Sequence, residues 1–152
     1  MISPKSFLSL SGYTLLLALG VAGCDLSVDP NHGLQEILGV IGDNAQVDIP
    51  DFVRAGAPFH VVVVTRGDDS CYRGGEPRIL QVANSVVIEP RDFVQRPSEI
   101  LGCNSLGNGF THRARILFAT PGAATVVVRG LVRWTRTAPL DTVEVARTVH
   151  VQ

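Results

Sequence analysis

Apolar and polar residues alternate with a period of two over long stretches of this chain, the spacing of strands with one covered and one wetted face. Residues 46–49 alternate and stop at Pro50, 51–54 make a short extended piece, and Ala55-Gly56-Ala57-Pro58 predicts a turn. The strongest strand is predicted over 59–65, where Val61, Val62, Val63 and Val64 are stiff at χ1 and suit a pleated surface. Being apolar on both faces, it is placed centrally in its sheet. Residues 79–83 and 86–89 flank Asn84-Ser85 as a tight hairpin. Further strands are predicted over 112–119, 124–134 and 142–151. Ala114, Ile116 and Phe118 face one way in the first of these. In the last, Val143, Val145, Val149 and Val151 share a face that Arg147 interrupts, which predicts a bulge or an edge.

Elsewhere the pattern is weaker. Leu34, Ile37, Leu38 and Ile41 would share a helix face, but Gly39 and Gly42 interrupt it, and a first strand over 38–41 is favoured. Residues 66–76 read as a Gly- and Asp-rich loop carrying Cys71. Residues 90–108 read as a long polar excursion carrying Cys103. Seven or eight short strands without a convincing helix predict an all-β chain, an antiparallel β-sandwich.

Residues 1–23 break this pattern. A basic start at Lys5 leads into Tyr13-Thr14-Leu15-Leu16-Leu17-Ala18-Leu19, too short an apolar core for a spanning helix, and then into small residues. Leu19-Gly20-Val21-Ala22-Gly23-Cys24 resembles the lipobox of bacterial lipoproteins. The resemblance implies cleavage after Gly23, a diacylglycerol on the Cys24 thiol, and a membrane as partner through that anchor. The organisation expected is a signal peptide over 1–23, lipidated Cys24 and a polar tether over 24–33, and one domain over 34–152, in the cell envelope facing the periplasm or exterior.

Cleavage changes the charge and the cysteine count. Lys5 leaves with the leader, so of thirteen basic residues twelve arginines remain, against fourteen acids. No basic block stands out, which excludes a nucleic-acid footprint. Three cysteines is an odd count for an exported chain. Lipidation of Cys24 resolves it and leaves Cys71 and Cys103 to pair in an oxidising compartment. Neither has a second ligand at metal spacing, so neither metal nor cofactor is expected.

The stretch from Ile49 resembles immunoglobulin-like domains of exported bacterial proteins. Ile49-Pro50-Asp51-Phe52-Val53-Arg54-Ala55-Gly56, the valine strand and residues 116–126 carry the resemblance, which implies architecture and no chemistry.

Motifs for catalysis are missing: neither Gly-x-Ser-x-Gly, a phosphate-binding glycine loop nor His-Glu-x-x-His occurs. Arg66-Gly67-Asp68 spells an integrin-binding tripeptide but is also ordinary turn chemistry, and Asp68-Asp69 with Glu76 reads as a solvated acidic turn. His32, His60, His112 and His150 are scattered singly and read as surface or half-buried residues. The function expected is non-catalytic binding of an envelope protein or surface ligand through loops joined by the disulfide. Tyr72, Arg73, Arg91, Arg96 and Phe110 are the contact candidates, because aromatic and arginine side chains dominate hot spots. Assembly through an open sheet edge and a hydrolase are the alternatives.

Overall fold

A computed structural model describes residues 34–42, 46–95, 102–104, 106–133 and 139–152. The expected signal peptide and tether over 1–33, with the lipobox-like stretch, Cys24 and His32, lie outside the described residues, as do Arg96 and Trp134. Among those described there are eleven strands and no α-helix, so the described part is nearly all β, and none of it is a helix long and apolar enough to cross a membrane. The strands are β1 (Leu34–Leu38), β2 (Val47–Asp48), β3 (Phe52–Val53), β4 (Phe59–Gly67), β5 (Tyr72–Gly74), β6 (Arg78–Val82), β7 (Ser85–Glu89), β8 (Arg91–Gln95), β9 (Asn108–Ile116), β10 (Gly122–Val132) and β11 (Asp141–Val151).

They form three sheets, ordered β3-β11-β10-β7-β6, β2-β4-β9 and β1-β8-β5. The valine strand β4 is the middle strand of the second sheet, as its two apolar faces predict. Its inward residues Val61 and Val63 join Ala114, Ile116 and Phe118 in one core with Val86, Ile88, Val126, Val128 and Val149 of the five-stranded sheet. At about 25 cal/mol per Å² of buried apolar surface, this shared core is the main force holding the two sheets together.

Several elements differ from the sequence pattern. The first strand lies at 34–38 rather than 38–41 and ends at Gly39, where a Cβ would stand 2.9 Å from Asp92 Oδ2. The stretch 66–76 is not all loop, since β4 runs on through Gly67 and β5 follows Cys71. The excursion after Pro90 begins with β8, which pairs with both β1 and β5. Two pairings are parallel, β7 with β10 and β3 with β11, where only antiparallel ones were expected. β2 and β3 fall inside the expected pieces 46–49 and 51–54; the strands not expected are β5, three residues and too short to show a period, and β8.

Arg147 settles its own alternatives. The β10–β11 register runs one-to-one from Gly122↔Val151 to Val132↔Asp141, so there is no bulge. β3 covers only His150 and Val151. Arg147 therefore stands on an uncovered sheet edge and reaches solvent.

Candidate functional site

Cys71 and Cys103 form a disulfide with Cα atoms 5.4 Å apart, closing the gap between the start of β5 and the approach to β9. The acids beside it serve the chain itself. Asp69 Oδ1 accepts the Cys71 amide at 2.8 Å, and Asp68 pairs with Arg133. Asp69 clusters with both cysteine sulfurs, but these are bonded to each other and are no ligands for a metal. The Arg66-Gly67-Asp68 tripeptide is not presented on a loop: Gly67 is a buried strand residue lying under Tyr72, where any Cβ would collide with the ring. Burial, with Asp68 and Asp69 adding negative potential, raises the Tyr72 phenol above its ordinary value of 10.0.

β5 and β9 are edge strands of different sheets, and between them runs an open cleft of about 610 Å³. Gly74, Gly75 and Glu76 form one wall, Gly109, Phe110 and Thr111 the other, and Phe93 of β8 completes the lining. The glycines have a packing reason: a Cβ on Gly74 would meet Phe110 at 2.9 Å, and one on Gly75 would meet Phe93 at 2.7 Å. Gly109 has room, with Val64 Cγ1 at 3.8 Å as its nearest neighbour. The cleft thus sets two phenyl side chains, each packed on a glycine, along one open groove, suited to a partially apolar ligand.

The five contact candidates divide. Phe110 lines the cleft and Arg73 is exposed on β5 beside it. Tyr72 is half-buried against Gly67. Arg91 is held between Glu89 at 3.4 Å and Glu36 at 3.6 Å, which removes it from the cleft's chemistry. Arg96 lies outside the described residues. Sequence reasoning missed Phe93 and Gly75; the Gly74-Gly75 pair was the available signal, because adjacent glycines mark close approach of backbone.

A polar cluster lies buried behind the cleft wall, and here one expectation is corrected. His112 is not a surface or half-buried residue: it is 3 % exposed. Its Nδ1 donates to the Gly75 carbonyl at 3.0 Å, since a carbonyl can only accept. Nε2 then faces Thr65 Oγ1 at 2.8 Å and Asp92 Oδ1 at 3.2 Å. Asp92 is fully buried, and neither of its oxygens has a hydrogen-bond partner of good geometry among the described residues. His60 and His150 are exposed, as read from the sequence.

No protein-family model, curated protein or solved structure matches this chain.

Proposed function

We infer that the chain is a lipid-anchored, non-catalytic binding module of the bacterial cell envelope. In this reading Cys24 carries the anchor, residues 24–33 are the tether, and residues 34–152 form an immunoglobulin-like β-sandwich. Two sheets sharing one core support the sandwich; the parallel β7–β10 pairing departs from antibody-type sheets. The observation that carries the binding role is the cleft between the β5 and β9 edges, lined by Phe93 and Phe110 and braced by the Cys71–Cys103 bridge. A non-catalytic role is supported by the sealing of Thr65, His112 and Asp92, whose side chains no substrate could reach.

A photocrosslinking residue at Thr111, on the cleft rim, should give a discrete adduct in intact cells. Gly109→Leu, which adds bulk to the cleft wall where a Cβ has ordinary room, with Val64 Cγ1 at 3.8 Å and the Thr65 carbonyl at 3.9 Å, should remove that adduct. An adduct unaffected by Gly109→Leu would contradict the reading.

The structural-assembly alternative has an observation of its own. β6 is an outer strand exposed along its whole length, with Leu80 at 42 % and Val82 at 77 % exposure. Exposed apolar edges recruit further strands. If this edge held the partner, Val82→Lys would abolish the adduct and Gly109→Leu would spare it.

A further inference from the structure

The two main sheet exteriors treat their arginines differently. On the five-stranded sheet Arg78 and Arg129, with neighbouring Arg91, all end on Glu89, while Glu144 and Glu36 take the remaining contacts. On the β2–β4–β9 sheet the outward positions are His60, Val62, Val64 and Arg66 on β4 and Thr111, Arg113 and Arg115 on β9. Arg66, Arg113 and Arg115 are exposed, and their side chains make no ion pair or hydrogen bond with any described residue. The register sets His60 opposite Arg115 and Val62 opposite Arg113. Asp48, beside Val62 on β2, is the one acid among the described residues of these three strands.

Arg113 and Arg115 stand two residues apart on one face, about 7 Å, and from Arg115 to the Arg66 row the face runs about 20 Å. Like charges so placed repel unless something outside neutralises them. The mature chain carries more acids than arginines, so this concentration does not follow from overall charge.

We propose that this face docks on the phosphate headgroups of an anionic bilayer. The proposal rests on the anchored-module reading, because residues 24–33 extend at most about 35 Å and hold the domain beside the headgroups. Charge complementarity selects a surface of fixed negative charge. A sheet exterior with Val62 and Val64 between the arginines fits an extended surface, and Arg113 and Arg115 line neither the Phe93–Phe110 cleft nor the hollow of about 280 Å³ beside Arg66.

The test uses the chain from residue 24 with Cys24→Ser, so that no lipid contributes. It should sediment with phosphatidylcholine vesicles containing phosphatidylglycerol, not with phosphatidylcholine alone, and release as salt rises. Each arginine near an anionic leaflet strengthens binding about five-fold, so Arg113→Thr with Arg115→Thr should lower the partition about 25-fold. The melting temperature should stay unchanged, and Arg147→Thr on the other sheet should leave binding intact. Equal binding to both vesicles, or an unaltered partition in the double variant, overturns the proposal. Binding to a soluble polyanion such as heparin without vesicle binding overturns it too, and assigns the face to a different partner. Failure here is distinct from failure of the anchor, which is read by whether Cys24→Ser releases the full chain from membranes in cells.

Discussion

His112 uses both ring nitrogens inside the fold, and this makes it the residue on which packing and charge are most tightly coupled. Its partner Asp92 is 1 % exposed at the side chain, as is His112 itself. Removing one member of such a pair leaves an uncompensated buried group, which costs about 3–5 kcal/mol, whereas replacing both with apolar residues of similar volume is often neutral. His112→Phe should therefore lower the urea-unfolding free energy by about 3–5 kcal/mol, and adding Asp92→Leu should restore most of it. A second substitution that only adds to the loss would show that the two do not act as a pair. Nothing in the sequence announces this cluster. Thr65 and His112 are 47 positions apart, and a polar residue facing inward looks the same in a row of letters as one facing water.

At the level of elements, β10 and β11 were legible because each is long enough to show its period, β4 was legible from its run of four valines, and β9, expected over 112–119, lies four residues earlier at its start, over Asn108–Ile116. The β6–β7 hairpin was legible too, but its turn was displaced by one residue. Ile79↔Ile88 and Gln81↔Val86 fix the register, which leaves Ala83 and Asn84 as the two turn residues. Ala83 is consequently held at φ 49°, the only described non-glycine residue on the left-handed side. A Cβ there costs about 1–2 kcal/mol, so Ala83→Gly should raise stability by about 1 kcal/mol once the greater freedom of unfolded glycine is subtracted. Chemical denaturation of the two proteins measures it; a destabilised variant would mean the strands, not the turn, set this geometry. β8 stayed hidden for a different reason. It follows Pro90 directly, and its inward residue is Asp92, so the apolar alternation that marks a strand is replaced at its key position by a carboxylate.

Across the whole molecule, the small β1-β8-β5 sheet depends on connections rather than on the main core. None of its residues belongs to the large apolar cluster. It is joined to the five-stranded sheet through Pro90, to β4 by the Arg66 amide on the Val40 carbonyl at 2.9 Å, and to the approach to β9 by the disulfide. The sequence pointed to that covalent bond through cysteine parity, but not to the cleft it borders, because the cleft arises from two strand edges that no local pattern sets side by side. Cysteines 32 positions apart close a loop whose constraint stabilises by about 3–4 kcal/mol in the chain-entropy model. Replacing both with alanine should remove about that amount from the unfolding free energy. The loss should also be uneven in space. β10 and β11 are paired over eleven residues each in the sheet that supplies more than half of the core, so their amides should exchange nearly as slowly as before relative to global unfolding. β5 has three residues and one neighbouring strand, so its amides, with those of β8 facing it, should open first and enlarge the cleft. Hydrogen exchange read segment by segment distinguishes this from uniform loosening, which would mean that the bridge braces the molecule as a whole and not the wall between β5 and β9.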